Sequence, residues 1–501
     1  MFAYSQVTTL SKLSSGKFID NDIIYDEKGD VFGYFLLYQN DRLSREIFDY
    51  EYVILDKNLN KISSKTFRHA TYKTALTIIQ TNVKFVNKVG NNIFVSFVDN
   101  SLDANSNTTA FNERYRKIDL TTFDLSDEIV IQNFKPITKK YQSEDVVHLE
   151  DFIDNQNLLK TNGNYFVSFA TPEINPKITL GYMTENKRMS IKSLAVLDGA
   201  LNIVWKKEIN KVDKFLYRYI NSDKSVFLMG KKNPKQKEID HIELYDFEKG
   251  YISGFDLKDS KYNLVLDETR FVNDKIILYT LLHTKDKKIV NDAILGYAKI
   301  EVDKKTGKEL NRSYMVWDDL KPNLEFKDEF GTIEKYGNLY HQDFIKLENG
   351  NSILILEGYK KASTSELLDL FIIELDVNFK VKYFKKIEKT KTVWKKFKAH
   401  PQYLKFNNLY DYLYHQKLDN DGNLVFFYVN KEKQNSETTK KKKSEWVLGI
   451  ITYVDGTFNF DKLQLTSEDS KIIPGKAKNG YIQLIEVKDD NIDVRLERIN
   501  Y

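Results

Sequence analysis

The sequence predicts an all-β chain made of one repeated four-stranded unit. Three observations carry that prediction. Tyr, Phe, Val and Ile, which suit a pleated and half-buried surface, come in short bursts, with 31 Tyr and 32 Phe in 501 residues. A strand–turn–strand phrase that turns at an aspartate recurs seven times along the chain. The prolines, which cannot donate to a sheet ladder, fall between the bursts.

The phrase reads YVILDKNLNKI around Asp56, RKIDLTTFDLS around Asp119, AVLDGALNIVW around Asp198 and IELYDFEKGYI around Asp246. It continues as AKIEVDKKTGKEL around Asp303, FIIELDVNFKVKYF around Asp376 and ITYVDGTFNF around Asp455. Successive aspartates lie 63, 79, 48, 57, 73 and 79 residues apart, so the unit is long and its loops vary. An Asp carboxylate accepts backbone N–H groups just beyond it, which assigns these residues to hairpin turns and makes Asp198 and Trp205 scaffold. A second hairpin precedes the phrase, as in FVNKVGNNIFVSFV (85–98), LLKTNGNYFVSFA (158–170), FIKLENGNSILILEG (344–358) and YHQKLDNDGNLVFFYV (414–429). The unit is therefore a meander of strands a, b, c and d, which describes the blade of a β-propeller.

Proline placement agrees. Pro136, Pro322 and Pro401 separate a strand d from the next strand a, and Pro172, Pro176 and Pro234 separate b from c. After the seventh phrase, residues 471–487 and 491–499 supply three more strands and no fourth, while QVTTLSK (6–12) is a spare strand at the start. Pairing the spare strand with the last three makes eight blades and closes the ring; seven blades is the alternative. Residues 6–501 then form a single propeller domain. The a–b and c–d turns are short, whereas connections at 99–114, 170–190, 310–341 and 386–410 are expected to be long loops on the other face, where function usually sits.

Composition excludes several classes. The 76 basic and 72 acidic residues nearly cancel to +4, so nothing draws the whole molecule to nucleic acid, and no apolar run is long enough to insert as a membrane-spanning helix. There is no Cys, hence no disulfide and no thiolate site. The seven His residues form no metal-binding pattern, and no nucleotide or hydrolase fingerprint occurs, so no cofactor, metal or catalytic residue is assigned. LDNDGNL (418–424) fails as a calcium loop, because its sixth and twelfth positions are Leu424 and Asn430. It reads as a hairpin turn.

Ala3 and Ser5, small residues ahead of Gln6, are similar to the end of a signal peptide. The pattern resembles exported proteins of Gram-negative bacteria with type IX secretion. That resemblance implies residues 1–5 as a signal remnant and a periplasmic or cell-surface location, with the cytoplasm as the alternative. DEKGDVFGY (26–34) loosely resembles the aspartate box of sialidase-like propellers but lacks its leading Ser and occurs once.

Two functions are expected from the loop face. The first is a non-enzymatic scaffold that binds a protein partner, with Trp317, Trp394, Lys395, Lys396 and Phe397 as candidate contacts. Joined to the export resemblance, it implies an accessory subunit of an outer-membrane secretion or gliding assembly. Lysine-rich loops at 230–238, 283–290, 359–363 and 431–446 add a basic arc for an acidic partner or glycan. The second is a carbohydrate-binding or glycan-processing propeller with its site at the channel mouth, where Asp20, Asp22 and Glu348 lie on or beside predicted inner strands.

Overall fold

The computed structural model describes residues 7–500 apart from 27–28, 45–46, 71–76, 104–108, 128–158, 163–164, 171–192, 201, 209–215, 233–238, 286–293, 334–336, 362–364, 395–403, 406–408, 434–443, 466–469 and 489–490. The fold is all-β, in curled sheets that are mostly four-stranded. Sequence neighbours are sheet neighbours. Lys17–Tyr25, Val31–Arg42, Ile47–Asp56 and Lys61–Ala70 form one meander, and Thr77–Val89, Asn92–Asp103 and Thr109–Asp119 another, linked to the first by one parallel pair, Tyr25 with Asn87. Further sheets comprise Leu159–Asn162, Tyr165–Ala170, Ser193–Asp198 and Ile203–Glu208; then Leu216–Ser222, Val226–Lys232, His241–Asp246 and Gly250–Asp256; then Tyr262–Val272, Lys275–Thr284, Gly296–Asp303 and Glu309–Val316. Gly337–Lys346, Ser352–Lys361, Ser365–Leu375 and Val381–Ile387 follow, and then Tyr412–Lys417, Leu424–Lys433, Ser444–Val454 and Thr457–Gln464.

The last sheet joins both ends of the chain. Lys471–Lys476, Tyr481–Lys488 and Asn491–Arg498 form a meander, and Val7–Thr9 adds to it antiparallel, with Val7 opposite Arg495 and Thr9 opposite Asp493. Leu10 then turns in beside Val494 and Leu496 and is 1% exposed.

The recurrent aspartates do the work their spacing implied. Asp198 Oδ1 accepts the N–H groups of Ala200 (2.9 Å) and Asn202 (2.8 Å), and Asp56, Asp119, Asp246, Asp303 and Asp376 cap their turns alike. Asp455 departs from the pattern: it takes φ +50° before Gly456 at +79°, so its backbone makes the two-residue turn. Asp419 caps the LDNDGNL hairpin through Asp421 N–H and Asn423 N–H. Trp205, on the edge strand Ile203–Glu208, stacks on Phe227 and Tyr245 of the following sheet and donates to Phe247 O at 2.8 Å. Pro474 sits in the edge strand Lys471–Lys476, where a missing N–H costs no ladder bond.

Sheets pack face to face, which explains why their middle strands read as unbroken apolar runs rather than alternating ones. In Lys275–Thr284 every residue from Ile276 to His283 is buried. Ile276, Leu278 and Leu282 face the sheet before, with Leu228 and Leu244; Ile277, Tyr279 and Leu281 face the sheet after, with Phe344 and Leu354. The period-2 split repeats at Ile353 and Ile355 against Leu354 and Leu356, and at Phe35 and Leu37 against Tyr34 and Leu36. The fourth strand Thr457–Gln464 is mostly exposed.

Several expected loops contain strand. Between 99 and 114 the ladder runs to Asp103 and resumes at Thr109. Between 310 and 341 the strand ends at Val316, a 3-10 turn follows at Trp317–Leu320, and Thr332–Ile333 pairs back on Gly337–Asn338. Between 386 and 410 the short strand Thr392–Trp394 pairs with residues 365–367. Lys231, Lys232, Lys360, Lys361, Lys431 and Lys433 likewise belong to strands. Residues 1–6 and nearly all of 170–190 lie outside the described residues.

Candidate functional site

The first strand of six meanders carries a one-residue register slip against its neighbour, at Phe18/Asp20, Val83/Phe85, Tyr219/Asn221, Leu266/Glu268, His341/Asp343 and Tyr412/Tyr414. Such a bulge sets two residues against one, bends the strand and re-aims its side chains. Four residues just past a slip reach the next meander's first strand. Asp20 accepts Val83 N–H at 2.8 Å, Asn221 donates to Thr269 O at 3.0 Å, Glu268 accepts Phe344 N–H at 3.1 Å, and Asp343 accepts the Tyr412 hydroxyl at 2.8 Å. The bulges therefore stitch first strands together and concentrate polar groups along one line.

That line opens into a pocket of about 420 Å³. Arg270, Asp343, Tyr412, Tyr414, His415 and Lys476 reach it from four consecutive first strands, and Lys405 and Tyr410 border it from the connection at 404–410. Asp343 is its hub. Oδ2 meets His415 Nδ1 at 2.5 Å as well as the Tyr412 hydroxyl, and Oδ1 meets the Arg270 guanidinium at 3.3 Å. Burial alone would raise this carboxyl, but the His415 hydrogen bond and charge, Arg270 and Tyr412 outweigh it and hold it below the carboxylate range. Glu268 shares Arg270 with Asp343 and is pushed the other way, by burial first and by the nearby Asp343 and Asp267 charges.

A second histidine lies deeper. His341 Nδ1 is met by the Lys405 ammonium at 3.0 Å and by the Asp267 carboxylate, and that nitrogen serves only one of them in a given tautomer. Burial lowers the His341 pKa, with Asp267 opposing. Asp267 would be raised by burial but is drawn down to about 2 by His341 and Lys405.

Lys476 differs from the other cations. It is half-buried, burial lowers its pKa, and it makes no ion pair among the described residues; its Nζ lies 5.3 Å over the Tyr414 ring. The Tyr414 hydroxyl is buried without a hydrogen-bond partner, and burial, with Tyr25 and Tyr34 adding, keeps it protonated. Among the described residues no group of His, Asp or Glu is placed to hold a metal ion.

The sequence matches the profile of a family described as "Family of unknown function (DUF6770)" over residues 3–368 and again over 364–500. The chain belongs to the DUF6770 family. No curated protein matches the sequence. Solved structures similar to this DUF6770 chain include the polysaccharide lyase Uly1 (TM-score 0.41, 9% identity, 83% of this chain and 89% of that one) and the hydrazine synthase of Kuenenia stuttgartiensis (0.32, 10%, 67% and 74%). The cobalt-substituted apocarotenoid oxygenase of Synechocystis is another, at TM-score 0.31 and 11% identity over 60% of this chain and 64% of that one.

The residues singled out from sequence fall in several places in this DUF6770 member. Trp317 is 2% exposed, packs on Tyr297 and Phe326, and donates its indole N–H to Ile294 O at 2.7 Å, so it is core and offers no surface to a partner. Trp394 ends the short strand opposite Ser365, while Lys395, Lys396 and Phe397 lie outside the described residues. Asp20 and Asp22 are on a first strand as expected, and Asp22 is raised to about 6, chiefly by burial with Asp20 adding. Glu348 is exposed in a turn near Gly422, away from the pocket. The pocket residues themselves were missed. Their signal was a polar interruption inside a first strand, in LDETRF (266–271) and YHQDFI (340–345), which breaks alternation where a bulge sits.

Proposed function

We propose that this chain is an eight-bladed β-propeller that binds an acidic saccharide at its inner strands. The meanders supply eight blades, counting the 77–119 meander separately from the 17–70 one. Apolar clusters among the described residues join seven consecutive pairs of them, from the 159–208 sheet through the terminal sheet to the 77–119 meander. A ring whose last sheet is completed by the N-terminal strand has no open end to pair with another chain. First strands then line the channel, and the pocket lies at its wall.

One observation carries the ligand reading: Lys476 is a half-buried cation that makes no ion pair among the described residues, although the Asp343 charge acts on it, and it lies over the ring of Tyr414, whose hydroxyl has no hydrogen-bond partner there. A charge drawn out of water without a counter-ion is costly, and a bound carboxylate would remove that cost. The tyrosine rings that line the pocket are suited to sugar C–H groups. The partner-binding reading has less behind it, because Trp317 is buried, and Lys395, Lys396 and Phe397 lie outside the described residues.

Titration calorimetry with galacturonate and glucuronate trisaccharides, and with their methyl esters, tests the proposal. The acids are expected to bind, the esters and Lys476→Ala at least about tenfold more weakly, a loss of about 1.4 kcal/mol. Equal binding of acid and ester, or no binding of either acid, would sink it.

A further inference from the structure

We infer that His415 is a general base that removes the hydrogen from the carbon next to the bound carboxylate. The inference rests on the saccharide-binding reading above and adds a reaction to it. Asp343 is held by the Tyr412 hydroxyl at 2.8 Å and by Arg270 at 3.3 Å, so the carboxylate that meets His415 is fixed in place and ionised. In the neutral imidazole, a carboxylate that only accepts puts the hydrogen on Nδ1 and leaves the lone pair of Nε2 available. Nε2 has no hydrogen-bond partner among the described residues, and the His415 side chain, 27% exposed, lines the pocket. A base oriented by a carboxylate and opening on a site is the geometry proton abstraction needs.

The remaining groups narrow the chemistry. Among the described residues no Ser, Thr or Cys lines the pocket, so none of them offers a hydroxyl or thiol nucleophile for covalent acyl transfer there. Glu268 is engaged by Arg270 and by Phe344 N–H, which takes it out of a paired-carboxylate scheme for glycoside hydrolysis. A base next to a cation that makes no ion pair among the described residues remains. In the step, the C–H bond breaks, the proton goes to Nε2, and the electron pair moves into the carboxylate as a doubly charged aci form. Lys476, on the adjacent first strand, carries the positive charge that stabilises it. The imidazolium exchanges its Nε2 proton with solvent and returns a solvent-derived one to carbon, and no oxidant or further co-reactant is required. Asp343 acts as the positioning residue.

Hydrogen–deuterium exchange tests this. The galacturonate trisaccharide is incubated in D2O with wild type and with His415→Gln, and loss of the C5 proton signal is followed by NMR while calorimetry measures binding to both. Wild type is expected to exchange that proton, and His415→Gln to lose about 100-fold or more of the rate with binding held within about threefold. Binding without exchange in wild type overturns the inference and leaves the ligand proposal standing. Exchange that survives in His415→Gln, whose folding is confirmed by circular dichroism, also overturns it. Absence of binding overturns the ligand proposal first.

Discussion

Lys389 is enclosed by protein, and what surrounds it makes a quantitative prediction. Its side chain has no exposed surface, and its Nζ lies 2.9 Å from Glu357 Oε1 and against Asp411 Oδ2, both carboxylates being buried as well. Glu357 also accepts Tyr412 N–H at 3.2 Å, Thr392 donates to Asp411 at 2.9 Å, and Thr390 N–H donates to Asn430 at 2.9 Å in the next sheet. The cluster thus ties the 337–387 sheet to the 412–464 sheet and positions Tyr412, which holds Asp343. Lys389→Met removes the one cation and leaves two carboxylates in a dry site, for which about 3–5 kcal/mol of destabilisation is expected at pH 7. The pH dependence has a definite sign. Burial already raises the Glu357 pKa, with Asp411 adding and Lys389 opposing, and loss of the lysine raises it further. A raised carboxylate costs nothing below its unfolded value of about 4.3 and costs more as pH climbs toward the folded one. The deficit should therefore shrink from pH 7 to pH 5, and Glu357→Gln added to Lys389→Met should restore at least half of it. Urea unfolding followed by circular dichroism reads all three quantities. A loss below about 1 kcal/mol at pH 7, or a deficit equal at both pH values, refutes the reasoning.

Two further outcomes follow from packing and charge elsewhere. Leu10→Ala, at a 1% exposed position between the N-terminal strand and Val494 and Leu496, should cost about 2–5 kcal/mol and free the edge of Asn491–Arg498 for aggregation; a melting temperature unchanged from wild type would contradict that. Asp22 is raised to about 6 by burial and by Asp20, so its ionisation opposes folding above about pH 4. Asp22→Asn should stabilise by about 1–2 kcal/mol at pH 7, allowing for solvent screening, and by nothing at pH 4; a gain that persists at pH 4 would show that charge is not its source.

The aspartate phrase was legible because a capped turn is a local event. Asp198, Ala200 and Asn202 are within four residues of each other, and the carboxylate needs no distant partner to do its work. Trp317 was misleading for the opposite reason. Its neighbours in sequence, Asp318 and Asp319, are polar, while the residues that bury it, Tyr297 and Phe326, are contributed by a preceding strand and the following connection. The same holds for the loops at 99–114, where pairing extended strands beyond what their apolar residues signalled.

By itself the sequence determined the strand–turn register, the four-stranded unit and the pairing of the two chain ends, because alternation, turn residues and proline act over a few positions. Only the tertiary structure decided where chemistry gathers. His415, Asp343, Arg270 and Lys476 come from first strands of four meanders, and each looks like an ordinary polar interruption in its own segment. Bulges re-aim the strands of the first three, and burial then shifts charge states around them, by raising some groups and letting neighbours hold others down. Those effects depend on distances between segments about 60 or more residues apart, which no local pattern encodes.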